Sequence, residues 1–310
     1  MSKNKISIVV PCYNEEEMIP LFLKEIKKQE KKMPDVQFEI IFINDGSKDT
    51  TLSVLKRAHS KNSTVHYISF SRNFGKEAAL YAGLEHSTGH YVVVMDVDLQ
   101  DPPELLGEMY DLITEGEYDC IGTRRVTRKG EPPIRSYFAK QFYSLINRIS
   151  DTEIVDGARD YRMMTRQMVE AMLNVSEYNR FSKGIFSWVG FNTKFLEYEN
   201  KERMAGKTTW SFWSLFKYSV DGIVAFSDVP LSIASMIGML SFLASIFMAL
   251  FFFIRTIFWG NSTSGWTSIV VVLLGLGGLI LLCLGIVGKY VGKIYLEVKN
   301  RPIYIIKEKT

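Results

Sequence analysis

The chain has 310 residues, of which 47% are hydrophobic and 23% are charged, and its formal net charge at pH 7 is +3. This composition supports a packed core and excludes a disordered chain, and so small a net charge gives no reason to expect nucleic acid as a partner. The three cysteines, Cys12, Cys120 and Cys283, follow neither CxxC nor zinc-site spacing, which predicts packing residues in a reducing compartment.

Short apolar or β-branched runs alternate with helical patterns along the first half of the chain. The predicted strands are 6–10, 38–43, 65–70, 91–95 and 118–122, and the helices between them are 16–28, 50–60, 76–86 and 103–115. Further helices are predicted at 135–149 and 166–173, and a late strand at 195–198. Strands that alternate with helices predict an α/β fold with a mostly parallel, helix-covered sheet.

Two apolar segments, at about residues 231–254 and 268–287, lie in the last third of the chain. Each is near the roughly 20 residues that a helix needs to cross a bilayer, so two transmembrane helices are predicted. A buried helical hairpin is the alternative. The link between the segments has one basic residue, Arg255, whereas the tail carries Lys289, Lys293, Lys299, Arg301, Lys307 and Lys309. Short basic flanks stay cytoplasmic, so the N-terminal region and both termini are predicted on that side.

The segment 210–226 is aromatic and amphipathic, and it precedes the first apolar segment. It predicts a helix in the membrane interface, with a helix packed on the soluble domain as the alternative. The predicted organisation is an α/β domain at 1–209, an interfacial helix at 210–228, a two-helix transmembrane domain at 229–292 and a basic tail at 293–310.

Two carboxylates, Asp96 and Asp98, follow the predicted strand 91–95. Ligand sites in open α/β sheets gather at the carboxyl ends of the strands, and carboxylate oxygens suit Mg²⁺ or Mn²⁺. Asp after a strand is also ordinary turn chemistry, so this motif alone leaves both interpretations open.

Two further loops are predicted at the same edge, 11–15 after the first strand and 44–47 after the second. An aromatic ring, an amide and a carboxylate in these loops suit a nucleobase, although a turn with a helix cap at Ser47 or Asp49 is the simpler interpretation. Neither GxGxxG after the first strand nor GxxxxGK[ST] is present, so a dinucleotide-binding fold and a P-loop are unsupported.

Together these motifs resemble those of inverting family-2 glycosyltransferases with a GT-A fold. More narrowly, the chain is similar to bacterial polyprenyl-phosphate glycosyltransferases of the bactoprenol glucosyltransferase type, which are related to dolichyl-phosphate mannose synthase. The matching segments are PCYNEEE (11–17), NDGSKDTT (44–51), SRNFGKEAAL (71–80), DVDLQDPPE (96–104), GTRR (122–125), DGARDYRMM (156–164), RFSKGIFSWVGF (180–191) and WSFWSLFKYSVDGI (210–223). The apolar segments match too, so the resemblance covers nearly the whole chain.

The resemblance implies a Rossmann-like GT-A domain followed by an interfacial helix and two transmembrane helices in the bacterial cell membrane. It implies an enzyme that transfers one sugar with inversion from a UDP-sugar to undecaprenyl phosphate at the cytoplasmic face, making a lipid-linked donor for cell-envelope glycosylation. Glucose is the default sugar, and GlcNAc or galactose are the alternatives. Mg²⁺ or Mn²⁺ is the implied cofactor, membrane lipids are implied partners, and a homo-oligomer, a tetramer, is the implied assembly.

The resemblance also implies roles for individual residues. The implied nucleotide-binding residues are Pro11, Tyr13, Asn14, Glu15, Asp45, Asp96 and Val97. The implied metal ligands are Asp96, Asp98 and Gln100, and the implied catalytic residues are Asp98 and Asp160. The implied phosphate- or acceptor-binding residues are Arg124, Arg135, Arg162, Arg203 and Lys207.

Two of these assignments stay open. Asp160 matches the family's catalytic base or acceptor-orienting residue, but a lipid phosphate is already ionised at neutral pH, so positioning of the acceptor or of Arg162 is as reasonable as proton abstraction. Asp156, four residues earlier, is the weaker candidate for the same role, because its sequence is more typical of a loop. The family often has a lysine in a loop that closes over the diphosphate; here Thr209 holds that position, and Lys207 is the candidate substitute.

Two remote alternatives have other functions. A processive polysaccharide synthase carries a QxxRW-type motif and more spans, but neither Trp188 nor Trp210 is preceded by that motif. An inactive membrane scaffold predicts loss of the metal-binding carboxylates, yet Asp96, Asp98 and Asp160 are all present.

Overall fold

The computed structural model describes residues 3–126, 147–148, 155, 157–199, 223–224, 227–259 and 265–310. Its strands are β1 (Asn4–Cys12), β2 (Val36–Asn44), β3 (Val65–Phe70), β4 (Tyr91–Val94), β5 (Cys120–Arg125), β6 (Ala158–Thr165), β7 (Thr193–Tyr198) and β8 (Ile306–Lys309). Its helices are α1 (Met18–Lys32), α2 (Thr51–Lys61), α3 (Lys76–His86), α4 (Leu105–Thr114), α5 (Arg166–Asn174), α6 (Ser182–Trp188), α7 (Val229–Trp259) and α8 (Trp266–Val298).

The strands form one sheet in the order β7-β5-β6-β4-β1-β2-β3-β8. Pairing is parallel between β1 and β2, β1 and β4, β2 and β3, and β5 and β7. It is antiparallel between β4 and β6, β5 and β6, and β3 and β8. The prediction of a mostly parallel α/β sheet is therefore confirmed.

Helices cover both faces of the sheet because the central strands are apolar on both sides. Val10 of β1 belongs to a core cluster with Phe22 of α1 and Leu106 of α4. Val9, the preceding residue, belongs to the cluster on the other face with Leu80 of α3. Since neighbouring side chains of a strand point to opposite faces, this pattern buries residues 6–10 of β1 from both sides.

The strand order reverses at β1. The chain runs outward from β1 through β2 to β3 and then returns to place β4 on the other side of β1. Such a topological switch point opens a crevice at the carboxyl ends of the two strands, which is where open α/β sheets bind ligands. The loops after β1 and β4 therefore flank one crevice.

Most predicted elements are present, and β3 and α3 have the predicted bounds. Strands β6 and β8 and helix α6 are not among the elements predicted from the sequence. Three charged side chains, Arg159, Asp160 and Arg162, interrupt the apolar pattern of β6, and Gly184 lowers the helix propensity of α6. Alternating charges in β8 resemble a solvated tail. The predicted segments 135–149 and 210–226 lie almost entirely outside the described residues.

Helices α7 and α8 contain two segments, Val229–Met248 and Gly275–Val298, that are long and apolar enough to cross a membrane, with mean hydropathies of 2.0 and 1.8. Their large apolar side chains are exposed, for example Phe242 at 65% and Leu281 at 71%. The alternative of a hairpin buried in a soluble core is therefore wrong. Helix α8 continues past residue 292, the predicted limit of the transmembrane domain.

The segment after α8 returns to the sheet, although the sequence analysis treats 293–310 as a basic tail. Strand β8 pairs with β3, and the ring of Tyr304 stacks on Phe70 with a centroid distance of 5.0 Å. At the end of α8, the Glu297 carboxylate accepts hydrogen bonds from the N–H groups of Tyr178 and Asn179, each at 3.0 Å. The end of the chain is thus part of the α/β domain.

Candidate active site

Hydrogen bonds tie together the loops that follow β1 and β2. The N–H of Asn14 donates to Ser47 Oγ at 2.9 Å, and Asn14 Oδ1 accepts from the N–H of Lys48 at 2.8 Å. The N–H of Glu15 donates to Thr51 Oγ1 at 2.9 Å. Asn14 has a φ of 56°, in the left-handed region that Asn tolerates better than most residues. These contacts place Asn14 and Glu15 in one double loop at the carboxyl edge of the sheet.

Asp45 follows β2 directly, and only 4% of its surface is exposed. Its carboxylate accepts hydrogen bonds from the N–H groups of Phe74 at 2.6 Å and Gly75 at 2.9 Å. Burial raises the pKa of Asp45, and the two backbone donors oppose that rise. Asp45 therefore fixes the loop that leads into α3, and Pro11 and Tyr13 lie at the neighbouring end of β1. The nucleotide-binding roles of these residues stay predictions.

The loop after β4 carries the residues expected to bind a metal ion. Val97 and Asp98 are buried, and Asp98 Oδ1 accepts a hydrogen bond from the N–H of Gln100 at 3.2 Å. Leu99 has a φ of 55°, which is rare for a bulky residue and persists only where the surrounding structure enforces it. This turn brings Gln100 back toward Asp98, so both residues lie with Asp96 in one short loop.

Lys76, the first residue of α3, joins two of the predicted site carboxylates. Its Nζ lies 2.7 Å from Asp96 Oδ1 and 2.7 Å from Asp160 Oδ2 on β6. Burial by itself would raise the pKa of Asp160, but the Lys76 charge holds that pKa below its usual range. The two carboxylates in turn raise the pKa of Lys76, against the effect of its burial. Lys76 and Asp160 are therefore both charged at neutral pH.

Lys76 is not among the predicted site residues, although it lies within the segment 71–80 that carries the resemblance. One signal points to it. A helix N-terminus carries partial positive charge and favours acidic side chains, so a lysine as the first helical residue is unfavourable unless carboxylates face it. Gly75, before it, has a φ of 98° and turns the chain into α3.

The predicted donor set fits a hard divalent cation. Asp96 and Asp98 offer carboxylate oxygens and Gln100 an amide oxygen, and Mg²⁺ is usually held by one or two carboxylates together with substrate phosphates. Among the residues that the structure describes, no group of three His, Cys, Asp or Glu side chains could hold a metal ion. The ammonium of Lys76 beside Asp96 shows that this carboxylate already faces a cation.

The two predicted phosphate-binding arginines within the described residues have different surroundings. Arg124, on β5, has an exposed side chain 3.9 Å from Glu197. Arg162 is 3% exposed, and its guanidinium stacks on the ring of Phe186 at 3.4 Å and donates to the backbone oxygen of Arg159 at 2.9 Å. Phosphate binding by Arg124 stays a prediction. Phosphate binding by Arg162, which is buried against Phe186, stays a prediction too.

A second ion pair fixes the far end of the acidic loop. Asp101 is 1% exposed, and its Oδ1 accepts from Arg159 Nε at 3.1 Å. The hydroxyl of Tyr198 on β7 donates to the same oxygen. Burial raises the pKa of Asp101, and Arg159 opposes that rise. The loop after β4 is thus held against β6 and β7.

Four residues considered in the sequence analysis, Arg135, Asp156, Arg203 and Lys207, lie outside the described residues, and so does Thr209. Their assignments stay predictions. Gly157, directly after Asp156, has a φ of 78°, as expected for a turn before β6.

The fold and the site define the class of this protein. Carboxylates and cations converge at the switch point of a mostly parallel sheet, and the same chain carries two membrane-length helices, so it is an α/β enzyme with a membrane-associated part. The model of glycosyl transferase family 2 matches residues 7–173, and the chain belongs to that family. It is therefore a glycosyltransferase, and the expected GT-A type of sheet is confirmed.

Similar proteins include curated relatives that match over nearly their whole length. The chain is 46% identical over 308 residues to a protein named as a glycosyltransferase, CsbB of Bacillus subtilis (strain 168), covering 99% of this chain and 93% of CsbB. It is 42% identical over 305 residues to a bactoprenol glucosyl transferase of Shigella phage SfX, covering 98% of this chain and 99% of that protein. Glucosyl-3-phosphoglycerate synthase from Mycobacterium tuberculosis, solved with Mn²⁺, UDP-glucose and phosphoglyceric acid, matches with a TM-score of 0.46 and 18% identity over 71% of this chain and 78% of that one.

Proposed function

We propose that this enzyme transfers one glucose residue, with inversion, from UDP-glucose to undecaprenyl phosphate at the cytoplasmic face of the membrane. The observation that carries the proposal is the pairing of Lys76 with Asp96 and Asp160 at the switch point of a chain with two membrane-length helices. The bactoprenol glucosyl transferase of phage SfX supports the sugar and the lipid, because it is 42% identical and matches over 99% of its length. The proposed product is a lipid-linked glucose that serves later cell-envelope glycosylation.

The metal site we propose consists of Asp96, Asp98 and Gln100. Mg²⁺ or Mn²⁺ held there supplies a Lewis acid that neutralises the departing diphosphate of UDP. The loops after β1 and β2, with Tyr13 and Asp45, provide the surface for the nucleotide. In this proposal the nucleotide lies at the carboxyl ends of β1 and β2, and its diphosphate extends toward the carboxylates that follow β4.

In the proposed reaction, an oxygen of the lipid phosphate forms a bond to the anomeric carbon while the bond from that carbon to the diphosphate breaks. Both electrons of the broken bond leave with UDP. Because the acceptor phosphate is already ionised, the reaction does not need Asp160 to remove a proton from it. Its charge is held by Lys76, so we assign Asp160 the role of orienting the acceptor and the Lys76 ammonium.

The proposed orientation places the α/β domain and both termini in the cytoplasm. It rests on the basic residues that follow the second span, which the positive-inside tendency assigns to the cytoplasmic side. The lipid phosphate then meets the site at the membrane surface while its isoprenoid chain stays in the bilayer. We also propose a homo-oligomer, on the basis of the family resemblance alone.

The proposal is tested by incubating membranes that contain the protein with undecaprenyl phosphate and radiolabelled UDP-glucose, UDP-GlcNAc or UDP-galactose in separate reactions. Label in the extracted lipid with UDP-glucose supports the proposal, and membranes with Asp98→Asn protein are the matched control. Transfer from only one of the other donors would correct the sugar. No labelled lipid from any donor, with protein that still binds UDP, would contradict the proposed reaction.

A further inference from the structure

Arg159 is a second cation beside the carboxylate cluster, and neither the sequence analysis nor the proposed mechanism uses it. It precedes Asp160 on β6, and its Nε donates to the buried Asp101 at 3.1 Å. Tyr198 donates to the same carboxylate oxygen from β7. The guanidinium is thus anchored by a carboxylate that is itself fixed, and this lowers the entropy that the side chain loses when it binds a ligand.

The geometry around Arg159 places it beside the site, because its Nε is 3.1 Å from Asp101 in the loop that also carries Asp96 and Asp98. Asp101, Asp96 and Asp160 are the acidic neighbours that raise its pKa, although burial opposes them. A quarter of its side chain, 25%, remains exposed, whereas Asp101 is 1% exposed. Asp101 Oδ1 accepts from the Nε–H of Arg159. The two Nη groups carry the other four of the five N–H donors of a guanidinium, in a planar fork that suits phosphate oxygens.

Arg159 is more accessible to a ligand than Arg162 is. The resemblance implies phosphate binding for Arg162, three residues further along β6, but that side chain is 3% exposed and covered by Phe186. Arg159 has the exposure that Arg162 lacks, and it is ion-paired with Asp101 in the loop that carries Asp96 and Asp98. A structural ion pair that only fixes the loop 96–101 is the competing explanation, and it predicts no preference for ligands that carry phosphate.

We propose that Arg159, anchored by Asp101, binds an oxygen of a substrate phosphate group at the active site. The inference rests on the proposed function, which supplies two phosphate-bearing ligands, the diphosphate of the donor and the phosphate of the lipid acceptor. Both offer the same oxyanion to the guanidinium. The experiment has one arm for each.

The test measures equilibrium binding of two ligand pairs to full-length wild-type and Arg159→Gln protein in detergent with Mn²⁺. One pair is UDP and uridine, and the other is farnesyl phosphate and farnesol. We expect Arg159→Gln to weaken binding of a phosphate-bearing ligand about tenfold or more and to leave its phosphate-free partner unchanged. Arg159→Lys, which keeps the charge, should recover part of the loss. A loss confined to UDP assigns the donor diphosphate, and a loss confined to farnesyl phosphate assigns the acceptor.

Arg166→Gln is the matched control. Arg166 is also a partly buried arginine, but it donates to the backbone oxygen of Gly89, at the opposite end of β4 from the acidic loop. This variant should bind all four ligands as the wild type does. Equal weakening of both members of a pair by Arg159→Gln, or a lower melting temperature with unchanged affinities, would overturn the proposal. Failure of the proposed function is a separate result, because it requires that wild-type protein transfer no sugar to undecaprenyl phosphate.

Discussion

Replacing Lys76 with methionine removes the cation between Asp96 and Asp160 and keeps most of the side-chain volume. Two unit charges 2.7 Å apart attract by about 6 kcal/mol at an effective dielectric of about 20, which is a gross value before desolvation. Exposed pairs contribute about 0–1 kcal/mol net, and loss of one partner from a buried pair costs about 3–5 kcal/mol. The side chains of Lys76 and Asp160 are 38% and 18% exposed, so we expect Lys76→Met to lower stability by about 1–3 kcal/mol.

The assay is the melting temperature of full-length protein in detergent, which falls by about 2–4 °C per kcal/mol for a domain of this size. Saturating Mn²⁺ and UDP should raise the melting temperature of Lys76→Met more than that of the wild type, because a divalent ion replaces the missing positive charge beside Asp96. The pair lowers the pKa of Asp160, so its contribution is present above the unfolded pKa of about 3.9 and is lost as the pH falls through the folded value. The difference in melting temperature between Lys76→Met and the wild type should therefore become smaller at acidic pH.

Lys28→Met is the control, because Lys28 pairs with Glu25 on the exposed face of α1 and should change stability by less than about 0.5 kcal/mol. Equal melting temperatures for Lys76→Met and Lys28→Met would contradict the proposed contribution of Lys76. So would an increase in melting temperature with Mn²⁺ and UDP that is no larger for Lys76→Met than for the wild type.

Three further predictions concern the reaction and the end of the chain. Asp98→Asn should reduce transfer at least tenfold, about 1.4 kcal/mol, because it removes a predicted metal ligand; a folded variant with more than about a tenth of the wild-type rate would remove Asp98 from the metal site. Transfer should stop in excess EDTA and return with Mg²⁺ or Mn²⁺, whereas full turnover in EDTA would contradict the metal requirement. Deletion of residues 303–310 should lower the melting temperature, because it exposes the edge of β3 and removes the stack of Tyr304 on Phe70; an unchanged melting temperature would mean that β8 contributes nothing to the fold.

The sequence predicts the parallel core and the location of the site for the same physical reason. Buried parallel strands are apolar on both faces, so they appear as short uninterrupted runs, and the polar residues that follow them meet at one edge. Asp45, Asp96 and Asp98 can therefore be assigned to this edge from the order of residues alone. Their partners cannot, because Lys76 lies 20 residues from Asp96 and 84 from Asp160 along the chain.

Strand β6 is not predicted from the sequence, and this explains most of the site contacts that the sequence does not reveal. Without that strand, nothing indicates which charged residues of the segment 158–165 point into the core and which reach the crevice. Arg162 receives a phosphate-binding role from the resemblance, and its stacking on Phe186 could not be predicted from the sequence. Arg159 receives none, although it is ion-paired with Asp101 in the loop that carries Asp96 and Asp98. A strand with several ion-paired side chains has no hydrophobic period from which it could be predicted.

Contacts at the end of α8 connect the second membrane helix to the site. The carboxylate of Glu297 accepts two backbone hydrogen bonds and one from the side chain of Asn179, at 2.8 Å. Three residues later, the N–H and hydroxyl of Ser182 both donate to Glu77. Glu77 is next to Lys76 in the first turn of α3. The helix and the ion-paired cluster therefore belong to one contiguous structure.

This connection changes what a membrane anchor does for the proposed reaction. A flexible linker would only raise the local concentration of the acceptor. In the proposed orientation, a helix held at Glu297 and again through β8 would also fix the height and tilt of the crevice over the bilayer. A lipid phosphate has little freedom along the membrane normal, so in the proposed reaction this geometry would decide whether the phosphate reaches the anomeric carbon. Truncation after Ser227 would remove an edge strand together with both spans. Glu297→Gln, which weakens the joint and leaves β8 in place, is therefore the change that separates orientation from anchoring.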